Sequence, residues 1–484
     1  MQCKLSKLST LFLRLMWFIF LVICGLALVL GASQGEPYMR ALVLGLVGIV
    51  FLRFLLPLVV KGLERLGYGK CLLLLAILCF VVKLFWVIKV RVPISGDYAV
   101  FWGYANSLAK SEVIEGGRYM ALFPHVFGYS SFLSIFIKLF GANALLAPVL
   151  NVVLTVCSGC ILFRLCWRWL HLRAAISAFL FWIVCPSQTI YNSMVLSEPL
   201  YTTLMLAFLL LVTEVSYRGE KVNKPVLVGI IAGVAGGILL RFVQGTRPIA
   251  MIWIIAMVIW LIFLNLHSVT KRGFLQCWGP FMAVLLLIYT GSGSLWDSSF
   301  VKRVGEPPAS IPGYSVMVGF NKDSYGRWNR EDSERLYSYS DAPGATAQWA
   351  QEQMLDDAIE RVKSDDIDYH LLLMQKLRVF LGSDHTCIGY SASVLRHTDD
   401  FSLACNVFFY MSELLALWGA VRLWKRKERS TYALVPLFVL GLIVAQMLVE
   451  VAGRYHYSIV PMLILLGQAA MFDDEDRKEC LSAH

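Results

Sequence analysis

Asp97 stands in the segment Ile94-Ser95-Gly96-Asp97-Tyr98, a few residues past an apolar run that ends near Val90. A carboxylate at a membrane boundary is costly unless it is solvated, paired or functional. In that place it can accept a proton from an acceptor hydroxyl or amine. It also reads as a helix N-cap for the segment that follows, and the two roles are compatible. Glu198, in Leu196-Ser197-Glu198-Pro199-Leu200, is the second carboxylate candidate for catalysis; it reads equally as an N-terminal helix carboxylate favoured by the macrodipole.

Arginines supply the complementary charge. Arg241 and Arg247 flank Phe242-Val243-Gln244-Gly245-Thr246, and Arg454-Tyr455-His456-Tyr457 follows Glu450 by about a helical turn. A guanidinium fork suits a phosphate, which it grips through paired charge-assisted bonds. Arg247, Arg241 and Arg454 are therefore the expected phosphate ligands. The plainer readings are a lipid-headgroup contact, a pair with Glu198, or a snorkelling arginine in an aromatic belt. Arg118, His125, Tyr455 and His456 complete the set as candidate substrate contacts, and His125 reads equally as a hydrogen-bonded structural histidine.

The elements that must position these groups are membrane spans. Of 484 residues, 58% are hydrophobic and only 16% are charged. A soluble protein of this size carries about 25% charged residues. Apolar runs fall at approximately 11–31, 41–60, 71–90, 143–163, 174–190, 198–215, 226–241, 248–266, 274–292, 401–423, 432–450 and 457–472. Backbone polar groups in lipid must be satisfied internally, so each run predicts a helix. The fold class is an all-α polytopic membrane protein with about 12 transmembrane helices.

Short basic loops alternate with long ones. Lys61, Arg65 and Lys70; Arg164, Arg168 and Arg173; Arg218, Lys221 and Lys224; Lys271 and Arg272; and Lys425, Arg426, Lys427 and Arg429 all fall on one predicted side. That asymmetry predicts cytoplasmic N- and C-termini, and it leaves an acidic tail, Asp473 to Glu479, inside. Two long loops, 91–142 and 293–400, then face outward, and all the candidate residues converge on that face. The first is expected to carry surface helices over Tyr98–Lys110 and Phe123–Phe140, the second over Ala345–Arg361 and Tyr369–Leu381. The expected organisation is an additional N-terminal hairpin (1–70), a transmembrane core (71–292), an extracytoplasmic loop domain (293–400) and C-terminal spans with the tail (401–484). The middles of the spans read as almost charge-free, with Lys83 and Lys138 near ends or on surface segments.

Several classes are disfavoured. The net charge of +10 follows the loop clusters and forms no basic stripe interleaved with exposed aromatics, so it is no nucleic-acid signal. Most of the twelve cysteines lie in apolar runs and act as small hydrophobes. Cys157 and Cys160 have redox or zinc spacing without a supporting fold pattern. Cys387 stands alone in the second outer loop, so no disulfide framework is expected.

The order of these pieces resembles a known family. An acidic residue after an early span, Phe123-Pro124-His125, Leu139-Phe140-Gly141 before the next span, Cys185-Pro186-Ser187, Leu196-Ser197-Glu198-Pro199, Arg247-Pro248, and Arg454-Tyr455 before a last span with Pro461 follow one another over about residues 71–470. This is similar to the GT-C superfamily of polyprenyl-phosphate-sugar-dependent glycosyltransferases. Within it the chain looks like bacterial relatives of protein O-mannosyltransferases and lipid A aminoarabinose transferases (glycosyltransferase family 39-like). The resemblance implies a GT-C-like core and a sugar donor on undecaprenyl or dolichyl phosphate. It also implies inverting transfer to a hydroxyl or amine at the outer face of the plasma membrane. The family's first-loop acidic residue maps onto Asp97; many members carry an acidic pair there, where this chain has one. The acceptor is left open among cell-wall glycopolymer, lipid and protein. No cofactor is expected, and metal independence is predicted because the leaving group departs as a phosphate monoester and no Asp-x-Asp pair stands in the first loop. The alternatives are an oligosaccharide ligase or polymerase, a lipid-linked sugar transporter, and a non-enzymatic assembly scaffold.

Overall fold

The computed structural model describes residues 2–110, 114, 116–218, 223–266, 268, 272–364 and 366–472. Glu112, Lys221, Lys271 and the acidic tail from Asp473 lie outside the described residues. The protein is an all-α polytopic membrane protein. Among the described residues nine helices are long and apolar enough to cross a bilayer: Ser6–Ala32, Glu36–Glu64, Gly67–Lys89, Leu146–Trp169, Glu198–Tyr217, Pro225–Thr246, Gly273–Val304, Thr398–Arg426 and Thr431–Leu448. Four shorter apolar helices, His125–Phe140, Leu172–Val184, Ala250–Leu264 and Val460–Met471, complete the apolar set.

The twelve apolar runs thus resolve into nine long helices and three short ones. The run at 174–190 breaks where Cys185 turns extended ahead of Pro186, and a separate short helix, Pro186–Tyr191, follows. Proline lacks the N–H that a continuous helix needs and disfavours a helical conformation in the residue before it, which fixes the break there. The run from 248 passes into a π-helical turn at Ile259–Leu264. The run at 274–292 continues as one helix to Val304, so the second long loop begins beyond it.

Small residues set the closest helix crossings. Gly229, Gly233 and Gly237 recur every four residues along Pro225–Thr246 and lie on the backbone of Arg272–Val304. A Cβ at any of the three would meet Cys277, Phe281 or Leu285 carbonyl oxygens. Without a hydrophobic drive between helices in lipid, such close backbone approach is what dispersion needs.

The region between Val304 and Thr398 folds as a helical layer of its own, with Gly313–Gly319, Arg330–Ser340, Ala347–Ser364, Tyr369–Leu381 and Thr386–Ser391. Its centre is a buried acid–base knot: Arg361 pairs with Asp332 at 2.8 Å, and Asn321 and Asn329 donate to the same carboxylate. The helices expected at 345–361 and 369–381 are both present. Arg118 ties this layer to the first loop, contacting Glu306 and the carbonyls of Ser340 and Ala345 at 2.8 Å each.

Two ends of the helix Glu198–Arg218 carry opposite chemistry. Glu214 pairs with Arg164 at 2.7 Å and Arg168 at 2.8 Å. Glu198 lies sixteen positions away, about 24 Å along the axis, among the other candidate residues. The charge-free reading of the span interiors is corrected. Lys83, inside Gly67–Lys89, is fully buried and bonded to Thr189, and Glu413, inside Thr398–Arg426, is 2% exposed. Both groups are hidden by packing against neighbouring helices, which local hydropathy does not register.

Candidate active site

Four chain segments deliver four charged side chains to one cluster, and each arrives for a local reason. Gly96 takes a positive φ of 54° and starts the helix Asp97–Ala109, so Asp97 is the first helical residue. Its carboxylate caps no backbone N–H; it accepts from Arg454 Nη2 at 2.7 Å. The expected N-cap role therefore falls to Gly96. Glu198 opens the helix Glu198–Arg218 and is 2% exposed. Arg247 ends the helix Pro225–Thr246 in an extended conformation, with Pro248 blocking continuation. Arg454 sits in a single 3-10 turn, Gly453–His456.

These four form a chain of alternating sign. Arg454 pairs with Asp97, and Arg247 Nη1 lies 3.8 Å from Glu198 Oε1. The second distance is an ion pair and too long for a hydrogen bond. The Arg247 guanidinium lies 4.1 Å over the Tyr455 ring and 5.9 Å from that of Tyr201. Tyr455 in turn donates to Glu450 Oε1 at 3.4 Å. Tyr390 closes another side, 5.7 Å from the Arg454 guanidinium and edge-on to Tyr98.

Hydrogen-bonding capacity in the cluster is unspent. The Arg247 side chain is 15% exposed, and among the described residues its guanidinium makes no hydrogen bond. Arg454 Nε is buried and likewise lacks a partner. Buried donors are normally satisfied, and a guanidinium carries five of them. Burial works against the Arg247 charge, and Glu198, Tyr455 and Tyr201 outweigh it, holding the group charged. Asp97 is by contrast half-exposed, so a hydroxyl from solution can reach it. Burial pushes the Glu450 carboxyl up, and Arg454 and Arg247 pull it back.

His125 opens the helix His125–Phe140 beside these arginines. Burial, reinforced by Arg247 and Arg454, pushes its imidazole down to about 3, so the ring is neutral at physiological pH. The remaining residues expected at the site lie elsewhere. Arg241 donates to the Tyr289 carbonyl and stacks 4.5 Å from the Tyr289 ring, at the crossing of Pro225–Thr246 with Arg272–Val304. Arg118 is committed to the helical layer between Val304 and Thr398 as described. His456 is 1% exposed and turns inward, away from Arg454 and Tyr455.

Two residues without an obvious sequence signal support this arrangement. Lys376, fully buried, donates to the carbonyls of Gly319, Met447 and Val449 at 2.8–2.9 Å, joining the layer between Val304 and Thr398 to the segment before Glu450. Its position on an amphipathic helix marks it as a solvated face residue until three carbonyls are seen around it. Asp384, in Gly382-Ser383-Asp384-His385, reads as a turn residue and is in fact 2% exposed.

No protein-family model matches the chain, and no curated protein sequence matches it. Among solved structures, the fold comparison returns ArnT from Cupriavidus metallidurans, crystallised with undecaprenyl phosphate. That chain is 12% identical, with 84% of this chain and 78% of that one covered at a TM-score of 0.36.

Proposed function

We propose that the protein is an inverting glycosyltransferase. It moves a sugar from a polyprenyl-phosphate donor to a hydroxyl or amine acceptor at the outer face of the plasma membrane. The observation that carries the reading is the largely enclosed Arg247 guanidinium, which makes no hydrogen bond to described protein groups and pairs only loosely with Glu198, beside Arg454 and a half-exposed Asp97. A cation with free donors calls for an anionic ligand, and a nearby accessible carboxylate calls for a proton. The motif order from Asp97 to Arg454 and its resemblance to polyprenyl-phosphate-sugar transferases name the anion as a lipid phosphate.

In this mechanism the donor phosphate lies against Arg247 and Arg454 with its prenyl tail in lipid. Asp97 takes the proton of the acceptor hydroxyl. The acceptor oxygen forms its bond to the anomeric carbon from the face opposite the phosphate. The bond from that carbon to the phosphate oxygen breaks, and polyprenyl phosphate leaves with the electron pair. The two guanidiniums stabilise the charge that grows on the departing oxygen, an effect worth roughly 10²–10³ in rate per donor. Glu198 holds Arg247 in place and keeps it charged. No metal is required for a leaving group neutralised in this way, so chelation with EDTA leaves the rate unchanged.

The test is sugar transfer by the purified protein in lipid, followed as release of undecaprenyl phosphate from a panel of undecaprenyl-phosphate sugars. Turnover by the native chain and a loss of roughly 10²–10⁴ in Asp97→Asn is the expected result. Equal turnover by a well-folded Asp97→Asn protein removes Asp97 as the base.

A further inference from the structure

The Gly453–His456 turn carries Arg454 and Tyr455 but has little helical structure to hold it. Val449 and Ala452 before it are extended, and the turn itself is four residues long. What pins it is the residue that faces the other way. Both ring nitrogens of His456 are engaged: Nδ1 donates to the Phe380 carbonyl at 2.7 Å, and Nε2 shares a hydrogen bond with Asp384 Oδ1 at 3.0 Å.

Asp384 is the hub of a longer buried chain. Its second carboxylate oxygen accepts from Ser187 Oγ at 2.5 Å, and its backbone N–H donates to Asn406 Oδ1 at 2.9 Å. Ser187 belongs to the Cys185-Pro186-Ser187 break, and two residues further on Thr189 binds the buried Lys83. The Asp384 carboxylate thus fastens the turn to the Pro186–Tyr191 helix, and its backbone N–H ties the same residue to the span Thr398–Arg426. Gly453 at the start of the turn is pressed against Thr386, with no room for a Cβ.

We infer that Asp384 and His456 are positioning residues: their hydrogen bond fixes the turn so that Arg454 reaches Asp97 and Tyr455 lies against Arg247. Neither touches the cluster itself, since His456 and Asp384 are 1% and 2% exposed and their polar atoms point into the packed interior. Satisfied buried networks of this kind hold a single geometry, because each member left unpaired carries a desolvation cost. The consequence for activity rests on the transferase reading above; the positional claim does not.

The experiment therefore reads position first. Asp97→Cys and Arg454→Cys are introduced together, and bridging by a short bifunctional methanethiosulfonate, whose spacer stands in for the reach of the guanidinium side chain where a direct disulfide needs closer backbones, is followed by mass spectrometry of the peptide pair joined between positions 97 and 454. The cross-link is expected to form readily in the parent and to fall several-fold with Asp384→Ala. It is retained with Asp384→Asn, whose amide still accepts from Ser187 and donates to Nε2. His456→Phe keeps the ring volume, removes both bonds, and serves if Asp384→Ala does not fold. Undiminished cross-linking in the Ala and Phe variants overturns the assignment, and so does equal loss in the Asn variant. In the second arm, Asp384→Ala lowers the transfer rate of the native chain but adds nothing in a background where both groups the turn delivers are removed, Arg454→Ala with Tyr455→Ala; a structural defect alone lowers both. A native protein without transferase activity defeats the proposed function and leaves the cross-link result standing.

Discussion

The Arg454 guanidinium lies 2.7 Å from the Asp97 carboxylate across 357 positions of chain. The pair engages a carboxylate oxygen that, in the proposed transfer, takes the acceptor proton. In the proposed mechanism the donor phosphate competes for Arg454 and leaves Asp97 to the acceptor. Asp97→Asn should therefore lower kcat by roughly 10²–10⁴ and leave the donor KM nearly unchanged. Steady-state kinetics against the lipid donor measure this, and a large rise in KM with intact kcat would contradict it.

Arg247 should behave differently. Its guanidinium makes no hydrogen bond to described protein groups and has donors to spare, so Arg247→Gln is expected to weaken donor binding and slow turnover together, by roughly 10²–10³ in kcat/KM. Arg247→Lys should recover only part of the loss, because an ammonium cannot reproduce a planar fork stacked on Tyr455. Binding of undecaprenyl phosphate to the purified variants checks the first half independently of chemistry. Unaltered affinity in Arg247→Gln would discard the phosphate role.

His125 predicts a stability change with pH. Its folded pKa of about 3 lies below the value near 6.5 of an unfolded histidine. Between these values the unfolded chain binds the extra proton, so stability is full above about pH 6.5 and declines as pH falls toward 3. His125→Gln should show a shallower fall in thermal midpoint between pH 6.5 and 4 than the native protein, measured in the same detergent. Parallel curves would show that the ring does not stay neutral in the fold.

Gly128 predicts a packing effect on the site. It lies against the Gly245 carbonyl and the Thr246 N–H, where the helices His125–Phe140 and Pro225–Thr246 cross just below Arg247. Gly128→Leu must push the helices apart, at about 1–3 kcal/mol, and should displace Arg247 with loss of transfer. Gly103→Ala, at a helical position with open space around it, is the control and should be neutral or slightly stabilising. A Gly128→Leu protein with native midpoint and native rate would show that this crossing does not place the arginine.

The sequence by itself determined the elements. Apolar runs, proline breaks and the amphipathic stretches at 345–361 and 369–381 are local patterns, because a helix in lipid satisfies its own backbone and needs only its own residues to be apolar. The ends of those runs also picked out Asp97, Glu198, Arg247 and Arg454, and these four side chains lie close together in the fold. Tertiary structure alone decided which boundary charges face one another. Arg241 is six residues from Arg247 in sequence but turns to the Tyr289 carbonyl, because the glycine face of its helix draws Arg272–Val304 close. Arg118 is taken by Glu306 from a layer that begins nearly two hundred residues later, and His456 by Asp384. These choices rest on distances between distant segments, and hydrogen bonds fall off within an ångström or so. No pattern of neighbours along the chain encodes separations that only helix packing sets.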